Sequence, residues 1–383
     1  MLSICLVAHF AYGAVTGGNQ GSFGGVERQT TLMAKWLAAK GHKVSLLTWS
    51  EGREEDEVIA GINVIKICRQ DSGLPGIRFF HPRWTGLNAA MKRADAELYY
   101  QNCGEYVTGQ VALWCKLNNK KFLYSLASDA DADPDFPVMH TFRERLLYKY
   151  GLLHADKVIT QTKKQMNLLK NAFNLDSTVL PMPCIGPEQS EYTPLEFPAD
   201  KPTILWAARF HECKRLELFL EAAAEIPEYN FLVAGSPSHD DAYSQGLLEK
   251  MDCLDNVSCL GMVARDDMPA LYRCSTVFCC SSKYEGFPNT FLEAWSQGLP
   301  VISTFDPDDL IKEKKLGVSV TNKEELISAL RSLCSNHQQW EEYSANARDY
   351  YQRNHAVNQS MELFETVFIH MLADKKEGFD EKD

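Results

Sequence analysis

The 383-residue sequence contains no run of about 18 apolar residues, so it offers no membrane-spanning helix. Its opening stretch, "MLSICLVAHFAYG", has no basic segment ahead of a short apolar run. It reads as a first buried strand and not as a secretion signal. The twelve cysteines include no Cys-x-x-C pair and no Cys/His spacing suited to zinc. Scattered through apolar segments, they read as reduced, buried thiols of a cytosolic protein. Cys279 and Cys280, adjacent in the strand-like "TVFCCSS", would point to opposite faces of a sheet. An excess of positive charge is also missing. A net charge of −12 argues against a general nucleic-acid binder.

The charge that is present is unevenly spread. Residues 1–187 hold 21 Lys+Arg against 17 Asp+Glu, a net of +4, and residues 188–383 hold 18 against 34, a net of −16. A basic first half suits contact with an anionic membrane or acceptor, and an uncorrelated solvated surface accounts for it equally well.

Strand-like and helix-like segments alternate through the first half. Strands are expected at 3–9, 42–49, 62–67, 96–101, 121–127 and 156–162, with a helix over 24–41 that ends at Gly41. Six prolines in residues 180–203 mark a linker. The alternation then restarts, with strands at 203–210, 230–236, 256–263, 275–282 and 300–304. Helices are expected near 214–226, 266–273, 289–298 and 323–335, and a helical tail over 337–373. This pattern predicts an α/β protein of two doubly wound, Rossmann-like domains facing across a cleft. Ligands of such sheets sit at the carboxyl ends of the strands.

Three stretches carry chemistry. "GGNQGSFGGVERQ" (17–29) places five glycines between the first strand and a helix. Backbone can approach a ligand there, and the helix start offers free N–H groups to an anion. The stretch is neither a Gly-x-Gly-x-x-Gly fingerprint nor a P-loop, and a flexible surface loop explains it as well. "RFHECKR" (209–215) puts Arg209 and Lys214 between a strand end and a helix start, where two cations can neutralise a diphosphate. A solvated basic helix start is the rival reading, although it sets charge against the helix dipole. "KYEGFPNTFLEAWSQGLP" (283–300) places Glu285 in a loop beside Gly286, with Pro288 breaking the chain before a helix. Glu285 suits hydroxyl recognition. Glu293 has two readings, a ligand carboxylate or the last member of a capping box begun by Thr290. Together the stretches suit a ligand with a diphosphate and several hydroxyls, a nucleotide-sugar. "SDADADPD" (128–135) reads as an acidic surface loop, or as a cation site.

These residues resemble family 4 glycosyltransferases, the retaining enzymes of the GT-B fold. The resemblance runs through most of the chain: residues 24–48, 155–183, the Arg-x4-Lys stretch at 209–214, and 260–304 with the Glu-x7-Glu pair Glu285 and Glu293. It implies that residues 1–187 form an acceptor-side domain, joined by 365–383 crossing back, and that 188–364 form a donor-binding domain. Arg209, Lys214 and Glu285 would be catalytic, the cations on the donor diphosphate and Glu285 on the transferred sugar. Gly286 and Phe287 amides would lie near the sugar hydroxyls, Asn289 and Thr290 near the pyrophosphate, Glu293 on the ribose and Met262 near the base. Gly25 would let the first-domain loop approach the diphosphate. Two departures stand out. Ser128 and Asp129 occupy the place of a first-domain His that faces the donor sugar in many members. "FDPDDLI" (305–311) replaces a Gly-Gly-Ile-Pro-Glu loop.

The resemblance implies transfer of a hexose or N-acetylhexosamine from a nucleoside-diphosphate sugar, UDP-linked in preference to GDP-linked. The acceptor would be a glycan, a lipid-linked precursor or a small molecule. No resident cofactor or metal and no nucleic-acid partner is expected. The location would be cytoplasmic, with peripheral membrane contact through the first domain. A non-catalytic nucleotide-sugar-binding protein, or an epimerase or phosphorylase on the same architecture, is the alternative.

Overall fold

The structure, a computed structural model, describes residues 1–17, 24–52, 55–137, 139–198, 200–237 and 242–380, with the side chains of the last helix as far as residue 373. It divides into two units: residues 1–183 with the chain from Ser360 onward, and residues 184–359.

The first unit runs β1 (Ser3–Val7), α1 (Tyr12–Thr16), α2 (Gly25–Ala39), β2 (Lys43–Thr48), β3 (Glu57–Ile59), β4 (Ile62–Lys66), α3 (Thr85–Ala94), β5 (Leu98–Asn102), α4 (Tyr106–Leu117), β6 (Lys121–Ser125), α5 (Phe142–Leu153), β7 (Lys157–Thr160), α6 (Lys163–Phe173) and β8 (Thr178–Val179). Its sheet has the order β3-β4-β2-β1-β5-β6-β7-β8. Every pairing is parallel except β3 with β4. Helices cover both faces of such a sheet, so its strands read as nearly unbroken apolar runs.

The second unit runs β9 (Thr203–Ala207), α7 (Leu216–Glu225), β10 (Asn230–Ala234), α8 (Ala242–Asp252), β11 (Val257–Gly261), α9 (Met268–Arg273), β12 (Val277–Cys280), α10 (Asn289–Ser296), β13 (Val301–Ser303), α11 (Leu310–Glu313), β14 (Gly317–Ser319), α12 (Lys323–Ser335) and α13 (His337–Asn354). Its strand order is β11-β10-β9-β12-β13-β14, all parallel. Counted from its first strand this is the 3-2-1-4-5-6 order of a doubly wound nucleotide-binding sheet. Alternate residues feed two cores. Ile204, Trp206 and Cys279 pack into one, and Leu205, Phe278 and Cys280 into the other, as the adjacent cysteines foretold.

The last helix, α14 (Val357–Asp380), returns to the first unit. Phe364 and Phe368 lie 6.4 and 6.3 Å from the Tyr100 ring, and Glu365 bonds His42 at 2.7 Å. Among the described residues of 180–202 there is no helix and no strand, and Cys184 makes an isolated bridge to Ala356.

Three expectations need correction. All twelve cysteines are free, but Cys253, Cys259 and Cys274 are exposed on the weakly apolar edge around β11 and α9. The strand expected over 203–210 ends at Ala207. Phe210 is still buried and keeps an isolated bridge to Pro237, so the apolar pattern continued past the regular ladder. The following helix begins at Leu216 because Arg215 adopts a left-handed conformation, φ +47°, which no α-helix continues through.

Candidate functional site

In the second sheet the winding direction reverses at β9, which has β10 on one side and β12 on the other. Ligands of doubly wound sheets bind outside the carboxyl ends of the strands at that point. The two segments leaving β9 and β12 there are 208–215 and 281–288, the stretches that the sequence singles out.

The β9 segment is anchored before it turns. Phe210 is buried and its N–H bonds the Ser236 carbonyl at 3.0 Å. Gly235 makes room beneath it, since a Cβ there would lie 1.9 Å from the Ala208 carbonyl oxygen. His211 then caps a single 3-10 turn, Glu212–Lys214. Arg209 is exposed on this loop.

Three hydrogen bonds tie this segment to its neighbour, and a fourth comes from Trp206 of β9. Arg215 Nε donates to the Ser281 carbonyl (2.8 Å), and Lys283 N–H donates to the Cys213 carbonyl (2.8 Å). Ser281 Oγ donates to the Lys214 carbonyl (2.7 Å) while accepting from Trp206 Nε1 (3.0 Å). This lacing brings Lys214 Nζ within 2.5 Å of Glu285 Oε1, which also accepts from Ser282 Oγ at 2.6 Å. Burial works to lower the Lys214 pKa, but the Glu285 carboxylate outweighs it and the ammonium is held above its ordinary value.

Helix α10 starts at the end of the same loop. Its cap is Pro288, extended at φ −66° and ψ 121°, and no side chain caps it. Phe287 packs 5.2 Å from His355 and 6.2 Å from Trp295. The capping-box reading of Thr290 and Glu293 is therefore corrected. Pro288 fixes the helix start two residues before Thr290, which puts Glu293 past the first turn. Its carboxylate turns elsewhere: Oε2 accepts from Tyr272 OH at 2.9 Å and Oε1 pairs with Arg265 at 2.9 Å. Gly286, Asn289 and Thr290 are half-buried around the helix start. The structure thus brings Lys214, Glu285, Gly286, Phe287, Asn289, Thr290 and Glu293 onto two adjoining segments and the helix that follows.

Met262 follows the edge strand β11 and is 86% exposed. In the first unit, Gly25 is the first residue of α2, behind Gly24, whose N–H donates to Glu27 Oε2 at 2.8 Å. Residues 18–23 of the glycine-rich loop lie outside the described residues. Ser128 Oγ donates to Asp131 (3.3 Å), and Asp129 pairs with Lys164 (2.6 Å). "SDADADPD" is not simply an acidic surface loop. Asp131 is buried, and the Ala127 and Ser128 N–H groups donate to it at 2.7 and 3.1 Å. Burial raises its pKa against those bonds. Among the described residues no group of three or more His, Cys, Asp or Glu is placed to hold a metal ion.

The sequence reading missed Ser281, Ser282, Arg265 and Tyr272. Only the serines carried a signal, as a polar pair ending a buried strand.

Residues 24–183 match the family model described as a glycosyl transferase 4-like domain, and residues 201–336 match that of glycosyl transferases group 1. An uncharacterized glycosyltransferase of Haemophilus influenzae is 23% identical over 341 residues, 86% of this chain and 92% of that protein. The lipopolysaccharide core biosynthesis glycosyltransferase LpsE of Rhizobium meliloti is 32% identical over 111 residues, 29% of this chain and 32% of LpsE. The sucrose-phosphate synthase of Thermosynechococcus elongatus shares the fold, with a TM-score of 0.79 at 20% identity over 98% of this chain and 100% of that one. The fold is that of a protein of two parallel-sheet α/β domains. The chain belongs to the GT-B glycosyltransferases of the family 4 type.

Proposed function

We propose that the protein is a retaining glycosyltransferase. It moves a hexose or N-acetylhexosamine from a nucleoside-diphosphate sugar, UDP-linked in preference to GDP-linked, to a glycan, lipid-linked or small-molecule acceptor in glycan biosynthesis. The observation that carries this reading is the Lys214–Glu285 pair at the switch point of the second sheet. It puts a cation for the diphosphate beside a carboxylate for sugar hydroxyls.

In this reading Arg209 and Lys214 hold the diphosphate. The departing nucleotide gains negative charge as the anomeric carbon becomes oxocarbenium-like. Fixed cations lower that barrier because they need no rearrangement at the moment of reaction. Amides at the start of α10, with Asn289 and Thr290, add partial positive charge. Glu285 and the Gly286 and Phe287 amides orient the sugar, Glu293 takes the ribose, Met262 lies by the base, and Gly25 admits the diphosphate from the first-domain loop. Ser128 and Asp129 replace the donor-facing His of many members. Since two cations serve the leaving group, a divalent metal is dispensable. The name of the LpsE relative supports a glycan acceptor.

A panel of UDP-, GDP- and ADP-sugars, read by nucleotide release with and without chelator, tests the proposal. The expected result is release from a UDP-sugar that chelator leaves unchanged, and a product whose anomeric configuration by NMR matches the donor's. Donor binding without release across all acceptors points instead to a non-catalytic binding protein.

A further inference from the structure

The sheet of the first unit has a switch point of its own. β1 has β2 on one side and β5 on the other. His9 and Trp49 lie just past the carboxyl ends of β1 and β2, where such sheets take their ligands. The segments leaving the strands are laced together there. Trp49 N–H donates to the His9 carbonyl and Ser50 N–H to the Cys68 carbonyl, each at 2.8 Å. The turn Phe79–Trp84, which carries Arg83, leads into α3. It is held against the same strand ends, since a Cβ on Gly86 would lie 2.8 Å from the Ile67 carbonyl oxygen.

Three polar side chains gather at this point. The His9 and Trp49 rings are 4.4 Å apart, and the Arg83 guanidinium lies 5.9 Å from the Trp49 ring. His9 is 7% and Trp49 4% exposed, and Arg83 is half-buried. Trp49 Nε1 and Arg83 Nε are buried with no hydrogen-bond partner among the described residues. The His9 ring forms no hydrogen bond with them either. Arg83 uses Nη2 on the Gln70 carbonyl (2.6 Å) and pairs with no carboxylate among the described residues.

Buried donors without partners are costly, and native folds keep few of them. Indole and guanidinium are donors only, so they cannot satisfy each other. Burial, and then the Arg83 charge, hold the His9 pKa down to about 4, so this imidazole is neutral and donates through one nitrogen. A guanidinium beside two N–H donors is matched to an anion. The surroundings are aromatic: Phe10 meets Trp49 edge-on at 6.5 Å, and Arg83 acts on the Tyr106 hydroxyl. Few placed donors in an aromatic lining suit a small-molecule group. In the donor reading, Arg209 and Lys214 of the second unit already serve the diphosphate, which leaves this anion to the other substrate.

We infer that His9, Trp49 and Arg83 form an anion subsite for a phosphate or carboxylate group on the acceptor. The protein then glycosylates an acidic or phosphorylated acceptor in preference to its neutral counterpart. Assigning the anion to the acceptor rests on the glycosyltransferase reading above, and the anion subsite itself does not.

The Trp49 indole N–H reports on the subsite without donor or acceptor. In the full chain labelled with 15N-tryptophan, its NMR resonance is identified by its loss in Trp49→Phe. Titration with inorganic phosphate, against chloride at equal ionic strength, is expected to shift it, and acetate in a parallel titration shows whether a carboxylate serves as well. Arg83→Gln is expected to weaken phosphate about tenfold or more, and Arg83→Lys, which keeps the charge but not the fork of donors, by less. An unchanged melting temperature in Arg83→Lys separates lost binding from lost fold. Lys214→Ala is expected to leave the titration unchanged, which separates this subsite from the donor diphosphate. A Trp49 resonance that neither anion moves, or wild-type phosphate affinity in Arg83→Gln, overturns the subsite. In the nucleotide-release assay, Arg83→Gln is expected to raise the KM of a phosphorylated or acidic sugar acceptor about tenfold with kcat little changed. Phosphate binding at Trp49 with no preference between charged and neutral acceptors overturns the acceptor assignment. Phosphate binding at Trp49 without nucleotide release from any donor keeps the subsite and contradicts the glycosyltransferase reading.

Discussion

Lys214 Nζ donates to Glu285 Oε1 at 2.5 Å, joining the loop that leaves β9 to the loop that leaves β12. The carboxylate keeps the ammonium charged, and the bond aims both side chains before any ligand arrives. The pair is partly open to solvent, so its worth to folding is about 1 kcal/mol or less. Glu285→Gln is therefore expected to leave the melting temperature nearly unchanged. Turnover should fall by about 10²–10³, the scale of a lost electrostatic contact in a transition state. Steady-state kinetics beside thermal unfolding checks both halves.

Tyr272 holds Glu293 from the buried side. With Glu293 on the ribose as proposed, Tyr272→Phe leaves that carboxylate tethered at Oε1 by Arg265 and removes a bond to a charged group, worth about 1.5–3 kcal/mol. Calorimetry is expected to show weaker binding of the nucleotide. The difference from wild type should vanish for the 2′,3′-dideoxy nucleotide, which has no hydroxyls to lose. The same penalty with both nucleotides would show a purely structural role.

Two glycines make a contrasting pair. Gly235→Ala places a Cβ 1.9 Å from the Ala208 oxygen and must push apart the ends of β9 and β10. A loss of about 1–3 kcal/mol in denaturant unfolding is expected, with weaker donor binding. Gly246 lies within α8 and a Cβ there meets nothing within 4 Å. Gly246→Ala is expected to stabilise by about 0.5–1 kcal/mol.

Glu105, the cap residue of α4, gives the protein a pH signature. Burial, then Glu27, then Asp131 push its carboxyl up to about 7 from 4.5. The folded state thus holds this proton more tightly than the unfolded chain does. The associated stability is fully present below about pH 4.5 and is lost as pH rises through about 7. Glu105→Gln removes the dependence. The melting temperature of the variant should gain on the wild type as pH rises from 4.5 to 7, whereas parallel curves would count against the burial account.

Much of this architecture is legible in the sequence because strands buried on both faces announce themselves as apolar runs. β3 and β8 escaped, being short and half-exposed, and so did β14, three residues long. α8 escaped because "AYSQGLLEKMD" has no sharp apolar face. Strand ends overran, as at Phe210, because an apolar pattern reports burial and runs on past the regular ladder, here to an isolated bridge. Within the site, Glu285 stood out as a carboxylate in a glycine-flanked loop. Its partner Ser282, and the Tyr272 and Arg265 that hold Glu293, come from tertiary proximity that no local spacing encodes. The helix start was misread for a similar reason. Pro288 sets the register of α10, and the Thr290–Glu293 spacing looks like a cap only if the helix begins later.

The most direct test of the donor-site account is the turnover of Lys214→Ala on the donor that the wild type uses best, measured by nucleotide release with chelator present. The expected result is a rate lower by about 10²–10³, with the fold intact by circular dichroism. Turnover at the wild-type rate would contradict the assignment of Lys214 to the departing diphosphate.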